Sequence, residues 1–80
     1  MTVSEFIYEH LSQTLLEGDV QASEALIIEA LDAKVNPLEI INQVMIPTLT
    51  QVGKKFQAGE FFIPELLMAG QAAQVISKRV

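Results

Sequence analysis

The 80-residue chain has room for one small domain, is half hydrophobic and carries a formal charge of −5. The acidic balance and the five scattered cations Lys34, Lys54, Lys55, Lys78 and Arg79 exclude a phosphate-tracking nucleic-acid binder, and the absence of cysteine excludes disulfides and thiolate chemistry. No apolar run approaches the ~20 residues of a membrane span, and Glu5 and Glu9 stand where a signal peptide would be basic, so the expectation is a soluble cytoplasmic protein.

Four helices are predicted, over about residues 3–17, 20–33, 37–58 and 64–79. In the first, Thr2 is placed to cap and Glu5 to complete a capping box, while Phe6, Ile7, Leu11 and Leu15 recur at helical spacing. Gly18 supplies a left-handed stop and Asp19 caps the next helix at once. The second helix buries Val20, Ala22, Leu26, Ile27, Ala30, Leu31 and Ala33 in this reading. Asn36-Pro37-Leu38-Glu39 is a strong helix start, with Asn as cap and proline at the first helical position.

The third helix is expected to be the longest, with Leu38, Ile41, Met45, Leu49, Val52 and Phe56 on one face. Pro47 lies inside it and predicts a kink, because proline removes a backbone hydrogen bond and crowds the carbonyl four residues back. A helix end is expected at Gly59, and Pro64 opens the fourth helix. Short connections between four such helices predict an all-α, antiparallel up-down bundle with a kinked third helix.

The fourth helix is apolar or small on more than one side, whereas an ordinary amphipathic helix needs one stripe of about 100°. Phe62, Leu66, Ala69, Ala73 and Ile76 form one stripe, Met68, Ala72 and Val75 a second, and Ile63, Leu67 and Gly70 a third. One must face the bundle. The surplus has two readings, a contact with a partner helix or second copy, and a cover for a flat apolar ligand.

The remaining candidates carry little chemistry. His10 is the lone histidine, has no neighbour at ligand spacing, and reads as a surface or half-buried structural residue. Glu5 and Glu9 share a helix face and read as solvated. The Glu-x-x-His pairs of a di-metal bundle do not occur. Gly53, Gly59 and Gly70 do not make a phosphate loop; Gly53 and Gly70 imply either tight helix packing or approach of a ligand. No catalytic residue and no metal site is assigned.

Residues 15–76 resemble the helical cap module of corrinoid methyl-carrier proteins and of cobalamin-dependent methionine synthase. The matching phrases are Leu16-Glu17-Gly18-Asp19, Asn36-Pro37-Leu38-Glu39-Ile40-Ile41, Ile46-Pro47, Val52-Gly53-Lys54-Lys55-Phe56 and, most specific, the run from Gly59 through Glu60-Phe61-Phe62-Ile63-Pro64-Glu65-Leu66-Leu67-Met68 to Ala69. The resemblance implies a four-helix bundle over the upper corrin face, shielding methylcobalamin and moving aside when methyltransferase subunits dock. It implies that Phe62 lies over the ring, with Leu66 and Ala69 one and two turns further along. It also implies a Rossmann-like partner domain whose Asp-x-His-x-x-Gly motif supplies the lower cobalt ligand. That motif does not occur in these 80 residues, so only upper-face contact with cobalamin is expected and His10 is in the wrong place to substitute. Self-association of the isolated chain is expected, and a cofactor-free helical interaction or dimerisation domain is the alternative.

Overall fold

The structure, a computed structural model, describes residues 2–80. It is all-helical, with no strand among the described residues: α1 (Val3–Glu17), α2 (Val20–Asp32), α3 (Pro37–Ile40), a π-helical turn (Ile41–Met45), α4 (Ile46–Gln57) and α5 (Ile63–Arg79). The stretch from α3 through the π turn to α4 is continuous, with right-handed helical dihedrals at each junction. It forms one long element, so four helical segments build the domain.

The helix boundaries follow from local chemistry. Thr2 Oγ1 accepts the Glu5 N–H at 3.1 Å, and Asp19 Oδ1 accepts the Ala22 N–H at 3.1 Å. Asn36 Oδ1 accepts from Leu38 N–H at 2.9 Å, with Pro37 opening α3. Three helices end in the same double hydrogen-bonded reversal, at Gly18, Lys34 and Gly59, each with positive φ. Glycine occupies two of these positions at no steric cost; Lys34, at φ 65°, is the exception. Gly18 has a second reason to be glycine. A Cβ there would lie 2.5 Å from Met68 Cβ, so the α1–α2 turn packs directly onto α5.

The core joins Ile7, Leu11 and Leu15 of α1 to Ile27 and Ala30 of α2, Ile40, Val44 and Met45 of the long element, and Ala72, Ala73 and Ile76 of α5. Ser23 is fully buried although polar: its hydroxyl donates to Thr14 Oγ1 at 3.0 Å, and Thr14 donates to the Leu11 carbonyl. Pairing satisfies both hydroxyls inside the bundle. On α2, Val20, Ala22, Leu26 and Leu31 are half-buried, and Ala33, expected inside, is exposed.

The third-helix stripe read from the sequence is corrected by the structure. Met45 and Val52 are buried and Ile41 is half-buried, but Leu38, Leu49 and Phe56 are exposed. Beside Met45, the buried positions are Ile40, Val44, Thr48 and Val52, spaced four apart. A regular helix advances 3.6 residues per turn and would carry such a series progressively off the core face. The wider π turn absorbs part of that drift. In it the Ile46 N–H donates to the Ile41 carbonyl, five residues back. Pro47 follows immediately, so the backbone is already opened where the proline ring would crowd the Gln43 carbonyl.

Candidate functional site

The corner between α4 and α5 brings together Phe56, Phe61 and Phe62. Phe56 is in the last turn of α4 and exposed. Phe61 lies under the Lys55 ammonium, 5.6 Å from its ring centroid, and Lys55 also pairs with Glu60 at 3.5 Å. Phe62 is the N-cap of α5, extended at φ −110°, and 67% exposed. Its N–H donates to the Glu65 carboxylate at 3.3 Å, the half of a capping box that needs no side chain from the cap residue. The reversal at Gly59 and the Glu65 contact together hold the backbone that presents the Phe62 ring to solvent.

The three residues singled out from the sequence do not share one environment. Phe62 is open, Leu66 is half-buried, and Ala69 is 1% exposed, packed beneath the Gly18 turn. The stripe that begins at Phe62 therefore turns into the core by its second turn, and Ala69 has no surface to offer. The open apolar surface of α5 is instead Ile63, Leu67 and Met68 beside Phe62. On α4, Ile46, Leu49 and Phe56 recur at helical spacing and are exposed as well. Gly53 lies on that same α4 face. A Cβ at Gly53 or at Gly70 would meet nothing within 4 Å, so tight helix packing is not what these glycines serve.

The surface is chemically simple. No group of three or more His, Cys, Asp or Glu side chains among the described residues could hold a metal ion. His10 is exposed on α1 and lies against Phe6, with ring centroids 4.3 Å apart and planes tilted by 33°. What this corner can do is cover something apolar and exclude water from it.

The comparisons with known proteins bear on that surface. A family described as "B12 binding domain" matches residues 7–79. The chain belongs to this family. It corresponds to the N-terminal helical cap domain of corrinoid proteins, and cobalamin is the cofactor that the family binds. It is similar to monomethylamine corrinoid protein 1 of Methanosarcina mazei, 36% identical over 66 residues, covering 82% of this chain and 30% of that protein. It is likewise similar to monomethylamine corrinoid protein 2 of the same organism, 38% identical over 66 residues with the same coverage. Trimethylamine corrinoid protein of Methanosarcina barkeri is 32% identical over 72 residues, covering 90% of this chain and 33% of that protein. The chain thus spans about a third of the length of these relatives. No solved structure matches it. No helix among the described residues is long and apolar enough to cross a membrane.

The residues present fit an apolar contact with a corrin and not ligation of its cobalt. The exposed Phe62, Ile63 and Leu67 suit contact with a flat, largely apolar macrocycle. Phenylalanine, isoleucine and leucine side chains offer no cobalt ligand, and the lone histidine is on α1 against Phe6.

Proposed function

We propose that this chain is a lid over the upper face of methylcobalamin in a methyl-carrying corrinoid protein, shielding it between encounters with methyltransferase subunits. Residues 1–80 form the cap module, and a Rossmann-like domain elsewhere in the parent protein holds the ring from below. The bound corrinoid supplies the methyl-carrying centre; this chain supplies a dry apolar cover. Phe62 is the leading contact. Ile63 and Leu67 flank it, and Leu66, half-buried, supports the turn from which they project. Ala69 contributes by being small, which lets α5 seat under Gly18. The relatives' names favour a methylamine as methyl donor. We read the helical segments as running antiparallel, up and down, with the third bent at its π turn. That arrangement would present the α4–α5 corner as one end of a rigid block.

The observation that carries this reading is Phe62, a large aromatic held open to solvent at a helix N-cap in a family that binds cobalamin. A lid must also lift, so its contact is apolar and modest, with no covalent anchor. The test is the visible spectrum of bound methylcobalamin over time in the full-length protein. Phe62→Ala is expected to speed demethylation and oxidation while leaving the corrin bound. Unchanged rates would remove Phe62 from the contact. Loss of the corrin would show that the lid, not the lower domain, retains the ring.

A further inference from the structure

A second apolar surface lies at the other end of the domain. An open groove of about 420 Å³ is lined by Val3, Phe6 and Ile7 of α1 and by Glu29, Asp32 and Ala33 at the end of α2. Val3 is 69% and Phe6 53% exposed, large for side chains whose helix has a buried face available. Its position follows from two contacts. The far end of α1, at Gly18, sits on Met68 and Ala69. Near the start of α1, Tyr8 Oη donates to Glu39 at 2.9 Å, tying that end to the beginning of α3. Fifteen helical residues separate the two ends of α1, which is about 22 Å at 1.5 Å per residue. The longest dimension of the molecule is 37 Å. The groove is therefore at the opposite end of α1 from the turn of α5 at Met68 and Ala69, two turns after Phe62, so an object over Phe62 leaves the groove open.

The two helices that line the groove are acidic. α1 holds Glu5, Glu9 and Glu17 and α2 holds Glu24, Glu29 and Asp32, and neither helix has a lysine or arginine. Glu29 and Asp32, on the groove wall, have no side-chain hydrogen bond or ion pair among the described residues. An apolar floor with unpaired carboxylates beside it is complementary to a bulky apolar side chain flanked by lysine or arginine. It repels a second copy of the same acidic end.

We propose that this groove is a docking site for a basic, apolar-anchored segment of a protein partner, which grips the domain by the end remote from Phe62. Such a grip needs no access to the lid surface, so a partner can hold the domain whether the lid is seated or lifted. The inference rests on the lid reading only for that consequence; the docking itself is tested without corrin.

The probe is an amphipathic helical peptide of leucine and lysine, titrated into the ¹⁵N-labelled 80-residue chain and followed by amide chemical shifts. A leucine–glutamate peptide of the same length is the control. The Leu/Lys peptide is expected to move the amides of Val3–Ile7 and Glu29–Ala33, with affinity falling as salt rises. Phe6→Ala and the double variant Glu29→Gln/Asp32→Asn are each expected to weaken it about tenfold. Both sites are exposed, so the variants are expected to keep their helical circular dichroism. Equal binding of the Leu/Glu peptide, or shifts centred on Ile46–Phe56 or Phe62–Met68, would overturn the proposal. So would wild-type affinity in folded Phe6→Ala. If Phe6→Ala instead abolished self-association in sedimentation, the occupant would be a second copy and the proposal would fail.

Discussion

At the α5 N-cap the chain accepts a residue that local stability would not select. Serine, threonine, aspartate or asparagine at an N-cap is worth about 1 kcal/mol over a residue with no acceptor, and phenylalanine has none. Phe62 gains little in return from packing, being largely exposed, and its N–H is satisfied by Glu65 instead. A local preference overridden without compensation marks a position set by function. This leads to an opposed pair of outcomes for Phe62→Ser. In the isolated domain, urea unfolding is expected to show a gain of about 1 kcal/mol from the restored cap. In the cobalamin-loaded parent protein, the same substitution is expected to speed loss of the methylcobalamin spectrum. A loss of stability in the isolated domain would mean that the Phe62 ring packs on the bundle and has a structural reason to be there.

The helices themselves were legible from caps and stops: Thr2, Asp19 and Asn36 cap as their side chains demand, and Gly18 and Gly59 terminate as expected. The facing of the long element was not. A spacing of three and four fits Leu38, Leu49 and Phe56 to one stripe, but the π turn re-phases the chain so that Ile40, Val44, Thr48 and Val52 face inward. Hydrophobic periodicity assumes 3.6 residues per turn and cannot register a single wide turn. Pro47 was the visible sign of irregularity. A proline in a regular helix interior costs about 3 kcal/mol relative to alanine. Because the π turn already opens the backbone ahead of it, Pro47→Ala is expected to change stability by less than about 1 kcal/mol. A gain near the full proline penalty would show that the turn is strained by the ring. The α1–α3 contact has a pH signature. Desolvation, then the hydrogen bond to Glu39 and its charge, hold the Tyr8 hydroxyl above its usual value. The folded state therefore binds that proton more tightly than the unfolded chain. The resulting stability is complete below the unfolded tyrosine value of about 10 and is lost as pH rises through the higher folded one. Tyr8→Phe is expected to remove this part of the alkaline slope in pH-dependent unfolding; an unchanged slope would detach Tyr8 from it.

At the scale of the molecule, composition anticipated a surplus of apolar surface, and the structure distributes it unevenly. Of the residues proposed to meet the ring, Phe62 is open while Ala69 is interior, because a stripe drawn on one helix ignores where the neighbouring turn at Gly18 lands. On the second half of the chain the exposed set is Ile46, Leu49 and Phe56 on α4 with Phe62, Ile63, Leu67 and Met68 at the start of α5. Apolar burial is worth about 25 cal/mol per Å², and a specific dimer needs about 1,200 Å² in total. The isolated chain is therefore expected to self-associate through α4 and α5, the half of the sequence that lacks the strong negative charge. The acidic helices α1 and α2 would be left outward, where like charges keep two copies apart. Sedimentation across a range of concentrations measures this directly. Leu67→Lys, at an exposed position, is expected to shift the chain toward monomer, and joining the domain to its cobalamin-holding partner is expected to abolish association by covering the same face. A strict monomer at high concentration would show that the open face is too dispersed to pair, and that only a flat ligand brings its parts into one contact.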